Sequence, residues 1–323
     1  MKNNLFISVV ALLTLISCNK EDAAFDNYAQ IPESKNVESF CEKIDSLNNA
    51  YSEMLNDNAT RGYVSDYAIT SSADAVGAFV GAKLFSWAGS AIGAACANPA
   101  LACGGYFIGK KIGRAAGSAA ASIGAAWLID KFGTRSTINT SLVLNEDYVV
   151  SIEDPNNLTE GELHNLILAE LLKNIDKYVM PDGSLNYELL LSDAYMFENQ
   201  FAPFEEYPGY KELWLPKAIE QTRRIVDASV TLESNNSALF LDEVYNGLIP
   251  ELQITEEEFE NANILNEKVL STYTMLDNVT LKEFFIDIDD VIESSNLNDG
   301  LKDELKVSNS VMTNSTLIWR EVQ

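Results

Sequence analysis

The rhythm of apolar and polar positions changes along the chain, and each change predicts an element. Leu5 to Leu15 is a mostly apolar run with no charged residue. Such a run reaches only ~16 Å as a helix, about half of the ~30 Å of a hydrocarbon core, so it is too short to span a membrane. Between Val37 and Leu55 the residues Val37, Phe40, Ile44, Leu47, Tyr51, Met54 and Leu55 recur every three or four positions, which predicts one amphipathic helix. Residues 73–133 are dominated by alanine and glycine. From Thr137 to Ile152 apolar and polar residues alternate, which fits a short β-hairpin or an extended linker. Helical spacing dominates beyond that point. Thr159-Glu160-Gly161-Glu162, Thr255-Glu256-Glu257-Glu258 and Thr280-Leu281-Lys282-Glu283 each read as a capping box, in which Thr closes a free amide and Glu reaches back. Leu163, Leu166, Ile167 and Leu171 follow the first box, and Phe284, Phe285, Ile288, Val291 and Ile292 follow the last. Further helices are expected over 185–201, 216–232 and 238–248. The pattern therefore predicts a mainly α chain, with at most a short β-hairpin, divided into 1–17, 18–72, 73–133 and 134–323.

Composition sharpens the picture most in residues 73–133, which hold 11 of the 17 glycines together with 18 alanines. Glycine destabilises a helix interior by roughly 1 kcal/mol relative to alanine, so its abundance here needs a reason. Spacing supplies one. Gly77, Gly81, Gly89 and Gly93 fall on multiples of four residues, as do Gly105, Gly109, Gly113 and Gly117. Each set forms a slowly rotating helical stripe along which a second helix can approach closely. Asn98-Pro99 favours a turn between the two blocks, which predicts a glycine-zipper helical hairpin, roughly Ala73 to Ala97 and Gly104 to Phe132. Cys96 and Cys103 flank that turn; a disulfide pinning the tip and a pair of buried thiols both fit, and Cys41 is left over in the first case.

Charge argues against a permanent span. Lys83 falls near the middle of the first hairpin helix, where a lysine costs ~2.5 to 3.5 kcal/mol on insertion. Lys110, Lys111 and Arg114 enter the second, leaving only Ala115 to Ile129 as an unbroken apolar run. The segment is too glycine-rich for an ordinary soluble hairpin and too weak for a stable span. That balance suits a segment packed inside a protein and able to enter a target bilayer later. With five basic and two acidic residues, a net of +3, its cationic cluster of Lys110, Lys111 and Arg114 could first meet anionic lipid.

The amino terminus carries an address. Met1-Lys2-Asn3-Asn4 is a short positive start before the apolar run, the layout of a signal peptide. The run ends in Leu15-Ile16-Ser17-Cys18, which resembles the lipobox of bacterial lipoproteins and implies cleavage before Cys18 and its lipidation. Lys20-Glu21-Asp22 follows at once and resembles the surface-export signal of Bacteroidota lipoproteins, which implies an outer-membrane protein facing the medium. Further on, Asn56 to Gly62 is small, polar and turn-prone, a character that proteases exploit. Arg61, one of only six arginines, stands there beside Gly62, so an arginine-specific protease could separate the anchor from the rest; an ordinary linker residue fits equally.

This layout resembles the proteolytically activated antibacterial lipoprotein toxins of Bacteroidales, and the hairpin is similar in character to the apolar hairpin of pore-forming colicins. The resemblance covers about residues 1–133. It implies surface export, cleavage by a clostripain-like surface protease and release of a killing fragment that acts on a target-cell membrane, with a cell-surface receptor as a further partner. The expectation is a bacteriocin-like surface lipoprotein cut after Arg61; the alternative is a non-toxic surface interaction or scaffold lipoprotein whose hairpin stays packed.

Other chemistry recedes. The formal charge of −26 argues against nucleic acid, because phosphate contacts need a basic surface. Residues 145–323 hold 36 acidic and 11 basic residues, which reads as a solvated acidic exterior. His164 is the only histidine and sits among Leu163, Leu166 and Ile167, so a core or boundary histidine is expected and a zinc cluster is not available. Gly104 to Lys111 has the glycine and lysine spacing of a phosphate loop, but Lys111 stands where Ser or Thr must hold magnesium. Asp287, Asp289 and Asp290 lack the loop spacing for calcium and are expected to lie on a helix face. Neither catalysis nor a cofactor is expected.

Overall fold

The computed structural model describes residues 33–54, 73, 75–78, 115, 117–126, 144–149, 158–198, 215–229, 243–247, 254–273 and 276–319. They are mainly helical, as the apolar spacing predicts. The longer helices are α1 (Glu33–Met54), α2 (Glu160–Leu172), α3 (Tyr187–Glu198), α4 (Leu215–Ser229), α5 (Glu256–Tyr273), α6 (Asn278–Glu293) and α7 (Asp299–Trp319). Residues 75–78 and 117–126, from the two arms of the expected hairpin, are helical too. Among the described residues the β-structure is one isolated bridge, Val179 to Leu185, closed around Gly183, whose φ of 79° suits a residue without a Cβ.

Local signals set the helix starts. The Thr159 box forms both bonds: the Thr159 amide donates to Glu162 Oε2 at 2.8 Å and the Glu162 amide to Thr159 Oγ1 at 3.2 Å. Thr255 and Glu258 do the same at 2.9 and 3.1 Å. The third expected box does not form. Asp277 caps α6 instead, accepting from the amides of Val279 and Thr280 at 2.9 and 3.0 Å, while the Thr280 hydroxyl donates to Asp277 Oδ2. A carboxylate one turn upstream satisfies two amides and takes the helix start from the threonine. The alternating stretch also differs from a hairpin where it is described: Glu146–Tyr148 is a 3-10 turn capped by Asn145, whose amide donates to Ile318 O at 2.8 Å.

α7 is the axis of the body. It packs along α2 and also against α6 and α5, while α3 pairs with α4 and touches α2, and α1 lies on α5 and α6. One hydrophobic cluster runs through all of them, including Phe40 of α1, Ala119 and Ile123 of the hairpin, Leu168 of α2, Phe284 of α6 and Ile318 of α7. Residues from 18–72, 73–133 and 134–323 thus share a core rather than forming separate packing units. Asn309 ties α7 to α6 by donating to Phe285 O and Asp289 Oδ1, each at 2.8 Å. The α2–α7 crossing depends on Gly161, where an added Cβ would collide with the Ser310 carbonyl and the Asn314 side chain. Backbone cannot yield as a flexible side chain can, so Gly161→Ala is expected to destabilise the protein by about 2 kcal/mol. Chemical denaturation checks this; an unchanged midpoint would contradict the crossing.

Candidate functional site

The candidate site is the place where residues 75–78 and 117–126 of the Gly/Ala-rich segment pack together among the surrounding helices. Ala75, Val76, Gly77, Ala78 and every residue from Gly117 to Ala126 are buried. Gly77 and Gly117, one from each expected stripe, come together where the two arms cross. A Cβ added at Gly77 would lie 3.1 Å from Ala121 Cβ, 3.2 Å from Ser118 Cα and 3.4 Å from Gly117 O. The arms therefore touch nearly backbone to backbone, as a glycine stripe allows.

Gly124 faces elsewhere and lies off both stripes. A Cβ there would strike the Val226 side chain of α4 and sit 3.0 Å from the Tyr187 hydroxyl of α3. The second arm is thus wedged between its partner arm on one side and the α3–α4 pair on another. Its hydrophobic payload is small: 117–126 contains five alanines, two glycines, two serines and a single large side chain, Ile123. At roughly 0.8 kcal/mol per buried methyl-sized group and ~2 to 3 for the isoleucine, burial stabilises this stretch by about 6 kcal/mol. Close fit, rather than apolar area, holds it.

Three polar contacts pin the hairpin to the acidic helices. Ser118 Oγ lies 2.8 Å from His164 Nδ1 and also donates to Ala115 O at 3.0 Å, an arrangement completed when the imidazole Nδ1–H donates to the serine. Trp319 Nε1 donates to Ser122 Oγ at 2.8 Å, and Ser308 Oγ donates to Ala75 O at 3.3 Å. Ser118 and Ser122 are one turn apart and so reach neighbouring partners on α2 and α7. His164 is a core residue, as its neighbours predict. Full burial pushes its pKa down to about 3, so it is neutral at pH 7. Serine and histidine are in contact here, and both side chains have 0% exposure.

Asp287 and Asp289 lie on α6, as expected of a helix face: Asp287 accepts from the Tyr51 hydroxyl at 2.7 Å and Asp289 from Asn309. Among the described residues no three metal-ligating side chains gather, and no helix is long and apolar enough to cross a membrane. Cys18, Lys20, Glu21, Asp22, Arg61 and Gly62 lie outside the described residues. So do Cys96 and Cys103, the stripe positions Gly81, Gly89, Gly93, Gly105, Gly109 and Gly113, and the basic Lys110, Lys111 and Arg114. Spacing found Gly77 and Gly117 but missed Gly124, Ser118, Ser122, Ser308 and Trp319. The two serines in an otherwise Ala/Gly run were the one available signal. No family model, curated protein or solved structure matches the chain.

Proposed function

We propose that the protein is a surface lipoprotein toxin whose membrane-active part is the 73–133 hairpin. The observation that carries this reading is the burial of the described parts of this Gly/Ala-rich segment, residues 75–78 and 117–126, among acidic helices, with small apolar area and a few polar pins. A segment held by fit loses that fit all at once when its wall moves, whereas a lipid phase can replace the modest apolar burial. The +3 charge of 73–133 favours anionic lipid, and the acidic remainder keeps the precursor in water until then. Cys18 would hold the protein to the outer membrane, Lys20, Glu21 and Asp22 would send it to the surface, and an arginine-specific surface protease would cut between Arg61 and Gly62. The partners are then that protease, a target-cell membrane and a cell-surface receptor.

A second reading uses the same burial. Close packing at Gly77 and Gly124 also suits a scaffold or interaction lipoprotein whose hairpin never leaves. Dye release from anionic vesicles and growth inhibition of related bacteria separate the two, using protein lacking residues 1–18, uncut and cut after Arg61. The cut sample is assayed both whole and after removal of its amino-terminal piece. Leakage and killing in a cut form, and neither in the uncut form, is the expected result. No leakage and no killing in any form would leave the scaffold reading.

A further inference from the structure

α1 ends at Met54 and the hairpin begins near Ala73, so a cut after Arg61 falls between them. The amino-terminal piece is therefore not a bare tether, because it contains a packed helix. Phe40 and Ile44 of α1 have no exposed surface, and Tyr51 is buried with its ring edge-on to Phe284 at a centroid distance of 4.9 Å. Polar contacts surround this apolar strip. The Tyr51 hydroxyl donates to Asp287 Oδ2 at 2.7 Å, and Asn48 Nδ2 donates to Lys268 O at 2.7 Å. Lys268 pairs with Asp45 at 2.7 Å, and Lys43 Nζ donates to Ser294 O at 2.6 Å. An apolar centre with a polar rim is the anatomy of an interface between separately folded pieces.

Position in the body points the same way. α1 packs on α5 and α6, whereas both of those also pack on α7, and α7 on α2. The core is connected without it. We propose that α1 is a built-in ligand of the α5–α6 groove, so that a chain cut after Arg61 remains a two-piece complex and leaves its anchor only when α1 is displaced. This rests on the reading that Cys18 is lipidated and Arg61 cut; the docking itself does not. Activation then has two steps, scission and displacement, and scission alone does not free the body.

The test uses protein lacking residues 1–18, with a specific protease recognition sequence in place of 58–62, cut to completion. On gel filtration at about 1 µM the two pieces are expected to co-elute, since a buried aromatic and aliphatic strip of this kind supports sub-micromolar binding. A labelled 33–54 peptide in excess is expected to exchange into the cut complex within a day. The same peptide carrying Ile44→Asp should compete at least ~100-fold less well, because it would bury an unpaired carboxylate. Tyr51→Phe, which removes only the bond to Asp287, should weaken competition about tenfold. Separation of the pieces on the column would overturn the proposal. So would a complex that accepts no labelled peptide, because α1 would then be a fixed part of the fold. Neither readout involves killing: a chain that co-elutes yet never kills fails the toxin reading alone, and one that kills yet falls apart fails only the docking.

Discussion

Gly124→Leu is expected to lower the unfolding free energy by about 3 kcal/mol, and Gly124→Ala by about 1 kcal/mol. Both follow from the wedge between α3 and α4. A Cβ at this position meets both methyls of Val226, a β-branched side chain with one strongly preferred helical rotamer, and the Tyr187 hydroxyl. Tyr187 is itself held by Arg223, whose guanidinium lies 5.6 Å from its ring centroid. For alanine the strain is partly offset by a gain in helix propensity of about 1 kcal/mol. Leucine adds three more carbons to a space already closed, so α3 or α4 must move. Denaturant midpoints of the two variants decide the matter. A leucine variant as stable as the parent would mean that the second arm is not wedged there. If the toxin reading holds, the same variant should also leak vesicles without being cut, because its wall is already forced open.

Acidification is the second large lever. His164 carries its proton readily when unfolded, with an ordinary value of 6.5, but burial holds it near 3 in the fold. The neutral form is thus favoured by folding: this contribution is fully present above pH 6.5 and is lost as pH falls from there towards 3. Each pH unit in that window removes about 1.4 kcal/mol, or about 3 kcal/mol between pH 6.5 and 4. Burial raises the pKa values of Asp227 and Asp289, and those carboxyls act in the opposite sense, gaining stability as they protonate. Comparison with His164→Gln, which keeps a polar partner for Ser118, cancels them. The stability difference between the two proteins should be constant above pH 7 and shift by about 3 kcal/mol in favour of glutamine at pH 4. Parallel pH profiles would show that the imidazole is not enclosed. Because His164 contacts the hairpin through Ser118, acid loosens the hairpin first, and amide exchange over 117–126 should rise with it.

How much of this could be read from the residues depends on whether the cause is local. Period-four glycines located the crossing at Gly77 and Gly117, and Thr159 and Thr255 located helix starts, because these signals act within a turn or two. Asp277 and Thr280 are both cap formers three residues apart, and the choice between them was missed. Leu276 and Leu281, both buried, occupy the positions of a hydrophobic staple around Asp277 and were the signal that could have decided it. The docking of α1 on α5 and α6, the pairing of Ser118 with His164 and the wedge at Gly124 join residues 46 to more than 200 positions apart. No local pattern encodes such partners. The sequence pattern set α1 apart in 18–72, ahead of the Arg61 cut, while its packing joins it to the common core.

On the proposed function, the 73–133 segment leaves the acidic body and enters lipid. A lipid-soluble photoreactive carbene precursor tests it most directly: anionic vesicles carrying the reagent are mixed with uncut protein, with cut protein and with cut protein freed of its amino-terminal piece, then irradiated and mapped by mass spectrometry. Labelling concentrated in residues 73–133 of a cut form, and absent from the uncut protein, is the predicted result. Labelling absent from 73–133 in every form, particularly alongside measurable leakage, would contradict the account.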